Sequence, residues 1–285
     1  MKWRCAGVAG LVTAVALSAV PAWASVVAVD GDMVAFADVD GEPNTMRVNW
    51  GNNPTARPAL HDDADVTQVD GECELLGDYV YCSTPGTPRF GLLLGDGDDY
   101  GASINSQSLG TTTRIFGQDG DDTLESYEGS DVLSGGRGRD ILVPDRDHPH
   151  GGDVLGGGPG RDLLQLGGVV ASRIRASLDG KADDGTPGDR DNYRADIEDV
   201  NGSALARNVI IGNRGANDLR GGDRADRLVG KGGRDRLTGL DGADTLDARD
   251  GRGGDRVDCG AGADKALVDR GDIVTRRSCE RIVRR

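Results

Sequence analysis

Aromatic residues are scarce, with Phe, Trp and Tyr making up 4% of the 285-residue chain. That excludes the bulky aromatic core that anchors many globules of this length. Cations are short as well: Lys and Arg number 33 against 48 Asp and Glu, a formal net charge of −15. A nucleic-acid partner is excluded on that ground, because phosphate backbones are met by a basic surface. Local catalytic signatures are missing too. There is no HExxH, no GxSxG and no P-loop, and the three histidines, His61, His148 and His150, fall in turn-rich stretches. A glycosidase-like carboxylate pair leaves no local pattern, so a hydrolase with an unrecognised acid pair stands as a minor alternative to a non-enzymatic chain. The one long apolar run, "AGVAGLVTAVALSAV", is shorter than a membrane span. It follows Lys2 and Arg4 and precedes "AWA", so residues 1–24 are expected to be an export signal, leaving a secreted chain with no membrane span.

Cysteine is sparse but even in number after that leader: Cys73, Cys82, Cys259 and Cys279. In a secreted chain the near pairs Cys73–Cys82 and Cys259–Cys279 are expected to form disulfides, each worth about 3 kcal/mol in the chain-entropy model. Zinc competes poorly, since there is no CxxC and no nearby His.

What the chain does have is glycine, 46 residues, in a pattern. "GGRGRDILV" at 135–143 returns as "GGPGRDLLQ" at 157–165. Fixing an acidic residue at the sixth place and an aliphatic one at the eighth aligns twelve units. The sixth places hold Asp122, Asp131, Asp140, Asp153 and Asp162, then Asn208, Asn217, Asp226, Asp235, Asp244, Asp255 and Asp264. The eighth hold Leu124, Leu133, Leu142, Leu155 and Leu164, then Ile210, Leu219, Leu228, Leu237, Leu246, Val257 and Ala266. A partial unit, "GDGDDY", places Asp99 in the sixth position ahead of the first block. Two short insertions, 144–147 and 248–249, are the only slips within the blocks.

Such a unit has a direct physical reading. Its glycines allow a tight bend, and positions seven to nine form a very short strand with one inward side chain, at eight. One strand of that kind buries too little to stand alone. Strands stacked about 4.8 Å apart build a continuous aliphatic column, the logic of a solenoid, with two units per coil. Residues 18 apart then lie above one another: Asp122 over Asp140, Asp226 over Asp244 and, across the second slip, Asp235 over Asp255. Columns of carboxylates at that repeat repel one another, and a hard cation between successive turns, held by carboxylate and carbonyl oxygens, removes the repulsion.

"GGRGRDILV" and "GGPGRDLLQ" also resemble the G-G-x-G-x-D-x-U-x pattern (U a large aliphatic) of the RTX, or haemolysin-type, calcium-binding repeat. The resemblance covers about residues 95–165 and 203–267. It implies an all-β parallel β-roll with several Ca2+ ions between adjacent turns, the sixth-place aspartates binding through side chains. Gly135, Gly136, Gly138, Gly157, Gly158 and Gly160 would supply backbone carbonyls. The departures are Asn208 and Asn217 at the sixth place, Arg224 for a glycine, and arginines at five or seven (Arg139, Arg161, Arg227, Arg234, Arg236, Arg256) that could neutralise the columns without metal.

The organisation expected is a signal peptide at 1–24, a small β-rich cap at 25–92, a first repeat block at 93–165, an acidic spacer at 166–202, a second block at 203–267 and a C-terminal cap at 268–285. In the spacer, "DGKADDGTPGDRDN" reads either as a further cation site or as a solvated loop. Two roles follow from this layout. One is a secreted calcium-binding protein whose roll folds on calcium outside the cell; the other is an adhesin or matrix protein presenting the rigid roll to a cell surface or polysaccharide.

Overall fold

The computed structural model describes strand backbones between residues 25 and 82, at 25–30, 33–37, 45–49, 59–62, 66–69, 73–76 and 79–82. It then describes 89–104, 112–127, 129–145, 151–168, 171–275 and 278–285, with side chains from residue 91 except at 103–104. The expected export signal at 1–24 and the histidines His148 and His150 lie outside these residues, as does the side chain of His61.

Positions seven to nine of each nonapeptide form the short strand that their composition dictates. Thr123–Glu125, Leu163–Gln165 and Thr245–Asp247 each bury only the middle residue. Those middle residues stack into a column. Leu124, Leu133, Leu142, Leu155, Leu164, Leu219, Leu228, Leu237 and Leu246 are at most 1% exposed, and the smaller Val257 and Ala266 continue the line. Each buried leucine contributes about 2–3 kcal/mol, a thin core for nine residues of ordered chain. The architecture therefore depends on stacking many equivalent coils.

Successive strands alternate between two faces. One face pairs Arg89–Gly95, Thr112–Asp119, Val132–Arg137, Val154–Gly156 and Asn192–Tyr193 in parallel. The other is a long sheet that passes through both blocks: Tyr100–Ile104, Thr123–Glu125, Ile141–Val143, Leu163–Gln165, Asp199–Asn201, Asp218–Gly222, Arg236–Gly242, Arg256–Asp258 and Ile273–Val274. The register holds eighth place over eighth place, with Leu124 opposite Leu142 and Leu219 opposite Leu237. It survives the first insertion, since Leu142 still meets Leu164, and the second, since Leu237 meets Val257.

The spacer joins this stack. Asn192–Tyr193 ends the first sheet on Val154–Gly156, and Asp199–Asn201 carries the long sheet forward. Arg173–Ser177 opens a third parallel sheet with Arg207–Ile211, Arg227–Val229, Thr245–Asp247, Lys265–Val268 and Arg281–Arg284. Through the second block this third sheet alternates with the long one.

At the other end the N-terminal strands extend both sheets. Met33–Ala37 lies parallel to Arg89–Gly95, and Thr45–Asn49 parallel to Tyr100–Ile104. Antiparallel strands follow outward, among them Ala59–Asp62, Tyr79–Cys82 and Cys73–Leu76. The described chain is thus all-β, a parallel β-solenoid without helix, and no helix among the described residues is long and apolar enough to cross a membrane.

Candidate metal centre

The bends between strands carry the sixth-place residues, and all eleven aspartates expected there, Asp99 included, are buried. One oxygen of each tested column member has a fixed task. Asp140 Oδ1 accepts the Asp122 amide at 2.9 Å, Asp162 Oδ1 the Asp140 amide at 3.0 Å, and Asp122 Oδ1 the Asp99 amide at 2.9 Å. On the opposite side Asp153 Oδ1 accepts from Asp131 at 2.8 Å. The second block repeats this, Asp244 Oδ1 taking the Asp226 amide, Asp255 the Asp235 amide and Asp264 the Asp244 amide, each at 2.8 Å. The stacking expected for Asp122 on Asp140, Asp226 on Asp244 and Asp235 on Asp255 is therefore present as a backbone-to-carboxylate ladder.

The second oxygen is different. The Oδ2 atoms of Asp122, Asp140, Asp162, Asp235, Asp244 and Asp264 are buried and accept no hydrogen bond. An unsatisfied carboxylate oxygen in a dry place is costly. Five of them, those of Asp122, Asp140, Asp162, Asp235 and Asp244, point at the first-place glycine of their own unit. A Cβ placed on Gly117 would sit 2.5 Å from the carbonyl of Gly135 in the next coil and closer still to Asp122 Oδ2. One placed on Gly239 would sit 2.5 Å from Asp244 Oδ2 and closer still to the Cys259 carbonyl. A side-chain oxygen and a carbonyl oxygen from adjacent coils thus crowd the same first-place glycine, and carboxylate and carbonyl oxygens are the donors that calcium takes. In these units the absent Cβ at the first place leaves room for both oxygens.

The loop glycines divide by task. Gly136 has φ +120°, a conformation that disfavours any side chain. Its carbonyl faces Gly158, as that of Gly138 faces Gly160, while the Gly157 carbonyl accepts the Gly136 amide at 2.8 Å. Among the described residues no three His, Cys, Asp or Glu side chains gather as a metal-holding group. What the bends offer a cation are single carboxylate oxygens and backbone carbonyls. Hard oxygen donors of that mixture suit calcium.

Electrostatics reinforce the reading. Burial raises Asp122 and Asp162 from 3.8 to about 7, against the opposing backbone hydrogen bonds of Asp99 and Asp140, and neighbouring carboxylates raise them further. Asp244 also reaches about 7, and Asp140, Asp235 and Asp255 about 6, burial again leading. Burial and then the charge of Asp131 raise Asp153, and burial raises Asp226 and Asp264. Such carboxylates resist ionisation unless positive charge is supplied.

The arginines do not supply it at the six open oxygens. Arg161 forms its ion pair with Asp199 at 2.6 Å, Arg137 pairs with Asp119, and Arg220 with Asp218, none of them a sixth-place aspartate. The arginines at 139, 227, 234, 236 and 256 likewise leave the six open oxygens without a hydrogen bond.

Several carboxylates take part without matching the glycine pattern. Asp191 accepts the Asp153 amide, Glu198 the Asp162 amide, Asp272 the Asp255 amide and Glu280 the Asp264 amide. Each keeps the acid-x-apolar spacing of places six to eight: Asp191 with Tyr193, Glu198 with Val200, Asp272 with Val274 and Glu280 with Ile282. That spacing alone was the available signal. Beside the last rung, Cys259 and Cys279 form the expected disulfide. Cys73 and Cys82 are register partners across an antiparallel strand pair, and their side chains lie outside the described residues.

Comparison with known families gives one match, to the RTX calcium-binding nonapeptide repeat, in four copies over residues 110–142, 206–228 and 220–255. No curated protein matches the chain.

Proposed function

From a chain that carries RTX calcium-binding nonapeptide repeats, and so binds Ca2+ at several sites, we infer a secreted, non-enzymatic structural protein whose roll folds when it meets calcium outside the cell. The observation that carries this reading is the row of six buried Oδ2 atoms with no donor, repeated on both sides of the spacer. Each is a place where the metal-free roll is destabilised and a cation stabilises it. Extracellular calcium modules bind at about 10⁻⁴–10⁻³ M, and tenfold excess over Kd adds about 1.4 kcal/mol per site. Several sites acting together therefore shift a marginally stable domain between states. The leader-like segment at 1–24 and the Cys259–Cys279 disulfide support an oxidising destination.

Isothermal titration calorimetry of the leaderless chain with calcium tests the proposal. Several ions per chain, with heats that include folding, are expected. An isotherm without saturable calcium binding at millimolar concentration would remove its basis.

A further inference from the structure

The open oxygens of the sixth-place aspartates fall into two groups, with Asp189 Oδ1 and Asn192 Oδ1 also open in the spacer between them. Asp122, Asp140 and Asp162 lie before the spacer, and Asp235, Asp244 and Asp264 lie well into the second block. From residue 193 to 234 no buried side-chain oxygen lacks a donor. That interval contains the two sixth-place asparagines, whose side-chain amides satisfy their own turns, and Asp226, whose second oxygen takes a backbone amide.

Asn208 is fully buried and fully bonded. Its Oδ1 accepts the Ser203 amide at 2.9 Å, and its Nδ2 donates to the carbonyls of Ser203 and Ala206 and to Asp226 Oδ1, at 2.9, 3.2 and 3.0 Å. Asp226 is closed as well, its other oxygen accepting the Gly222 backbone amide at 2.6 Å. Asn217 Oδ1 occupies the place that Oδ2 holds in an aspartate unit, since a Cβ on Gly212 would lie 2.5 Å from it and 2.6 Å from the Gly230 carbonyl. Here, however, the oxygen accepts the Asn213 amide at 2.9 Å, and Nδ2 donates to the Glu198 carbonyl at 2.9 Å. Asn213 adds a third amide, its Nδ2 donating to the carbonyls of Ala195 and Ile197 at 3.0 and 3.1 Å.

The geometry points to an amide-sealed seam: the turns at Asn208 and Asn217 take no calcium, and the coils joining the spacer to the second block stay ordered when calcium is removed. An asparagine brings neither the charge that a stacked carboxylate column must offset nor an oxygen left open. Its NH2 group donates to carbonyls of the bend, the work a cation does in the aspartate turns. The seam lies in the interior of the stack, so the aspartate-rich coils on both sides have a templating edge when calcium returns.

This inference rests on the calcium-binding reading above, and its test separates the two. The leaderless full chain, Asn217→Asp and the Asn208→Asp/Asn217→Asp double variant are compared by calcium stoichiometry at saturation, using equilibrium dialysis. One additional ion in the single variant and up to two in the double are expected. Calcium binding by the unchanged chain with no added ion in either variant would overturn the seam; a parent chain that binds no calcium would instead overturn the function. Hydrogen exchange on the unchanged chain supplies a second readout that needs no substitution. After calcium removal, amides of 207–218 are expected to exchange at least tenfold more slowly than those of 122–142. Equal rates in the two segments would also refute the seam.

Discussion

Removing calcium should invert the pH dependence of the roll's stability. Asp122 is 1% exposed, and its folded value of about 7 stands well above the unfolded 3.8. Below about pH 4 the group is protonated in both states and has no effect. As pH rises, the unfolded chain ionises first while the folded chain keeps its proton, so stability falls by about 1.4 kcal/mol per pH unit for each such group. The loss is complete once pH passes the folded value, and for Asp122 alone it amounts to roughly 4 kcal/mol. That approaches the whole stability of a small domain. Asp162 and Asp244 shift in the same direction and to a similar value, and Asp140, Asp235 and Asp255 less far. Metal-stripped protein is therefore expected to melt cooperatively at pH 5 and to lose that transition by pH 8. Calcium-loaded protein should do the reverse, because acid protonates the ligands and releases the ion. Thermal unfolding followed by circular dichroism between pH 4.5 and 8, on metal-stripped and calcium-loaded samples, measures both. A metal-free roll equally stable or more stable at pH 8 than at pH 5 would refute the reasoning.

Three substitutions test the parts of a coil, the first two measured by urea unfolding in saturating calcium and the third by calcium titration. Leu142, fully buried in the column, should cost about 2–5 kcal/mol as Leu142→Ala, and a loss below 1 kcal/mol would mean that the column is not the core. Leu240 holds a left-handed φ of 76° with 43% of its surface exposed, at the loop position where Gly136 sits in the first block. Leu240→Gly should stabilise by about 0.5–1 kcal/mol, and a destabilised variant would contradict that strain. In Gly135→Ala the new methyl overlaps Asp140 Oδ2, so calcium titration should show weaker binding or one ion fewer, whereas unchanged binding would show that this oxygen is not a ligand.

Much of this molecule is legible in its residues because each nonapeptide repeats one local solution. The eighth-place leucines announce the column, and the sixth-place aspartates announce the ladder, since both recur at the spacing of the strands they occupy. Tertiary choices without a periodic signature are less legible. The spacer has no glycine frame, and the acid-x-apolar step of Asp191 and Tyr193 does not foretell that Asn192–Tyr193 closes one sheet while Arg173–Ser177 opens another. Asp191, Glu198, Asp272 and Glu280 escape a search keyed to glycine, although each preserves the acid-x-apolar step. The two asparagines look like eroded aspartates in the sequence. In the structure Asn208 and Asn217 donate to carbonyls and so change the character of their turns.

Far-UV circular dichroism of the leaderless chain at pH 7.5, recorded before and after calcium is stripped and then restored, tests the central claim most directly. The account predicts strong β signal with calcium, loss of most of it on stripping, and recovery on return of the ion. A spectrum that stays unchanged after verified removal of calcium would contradict it.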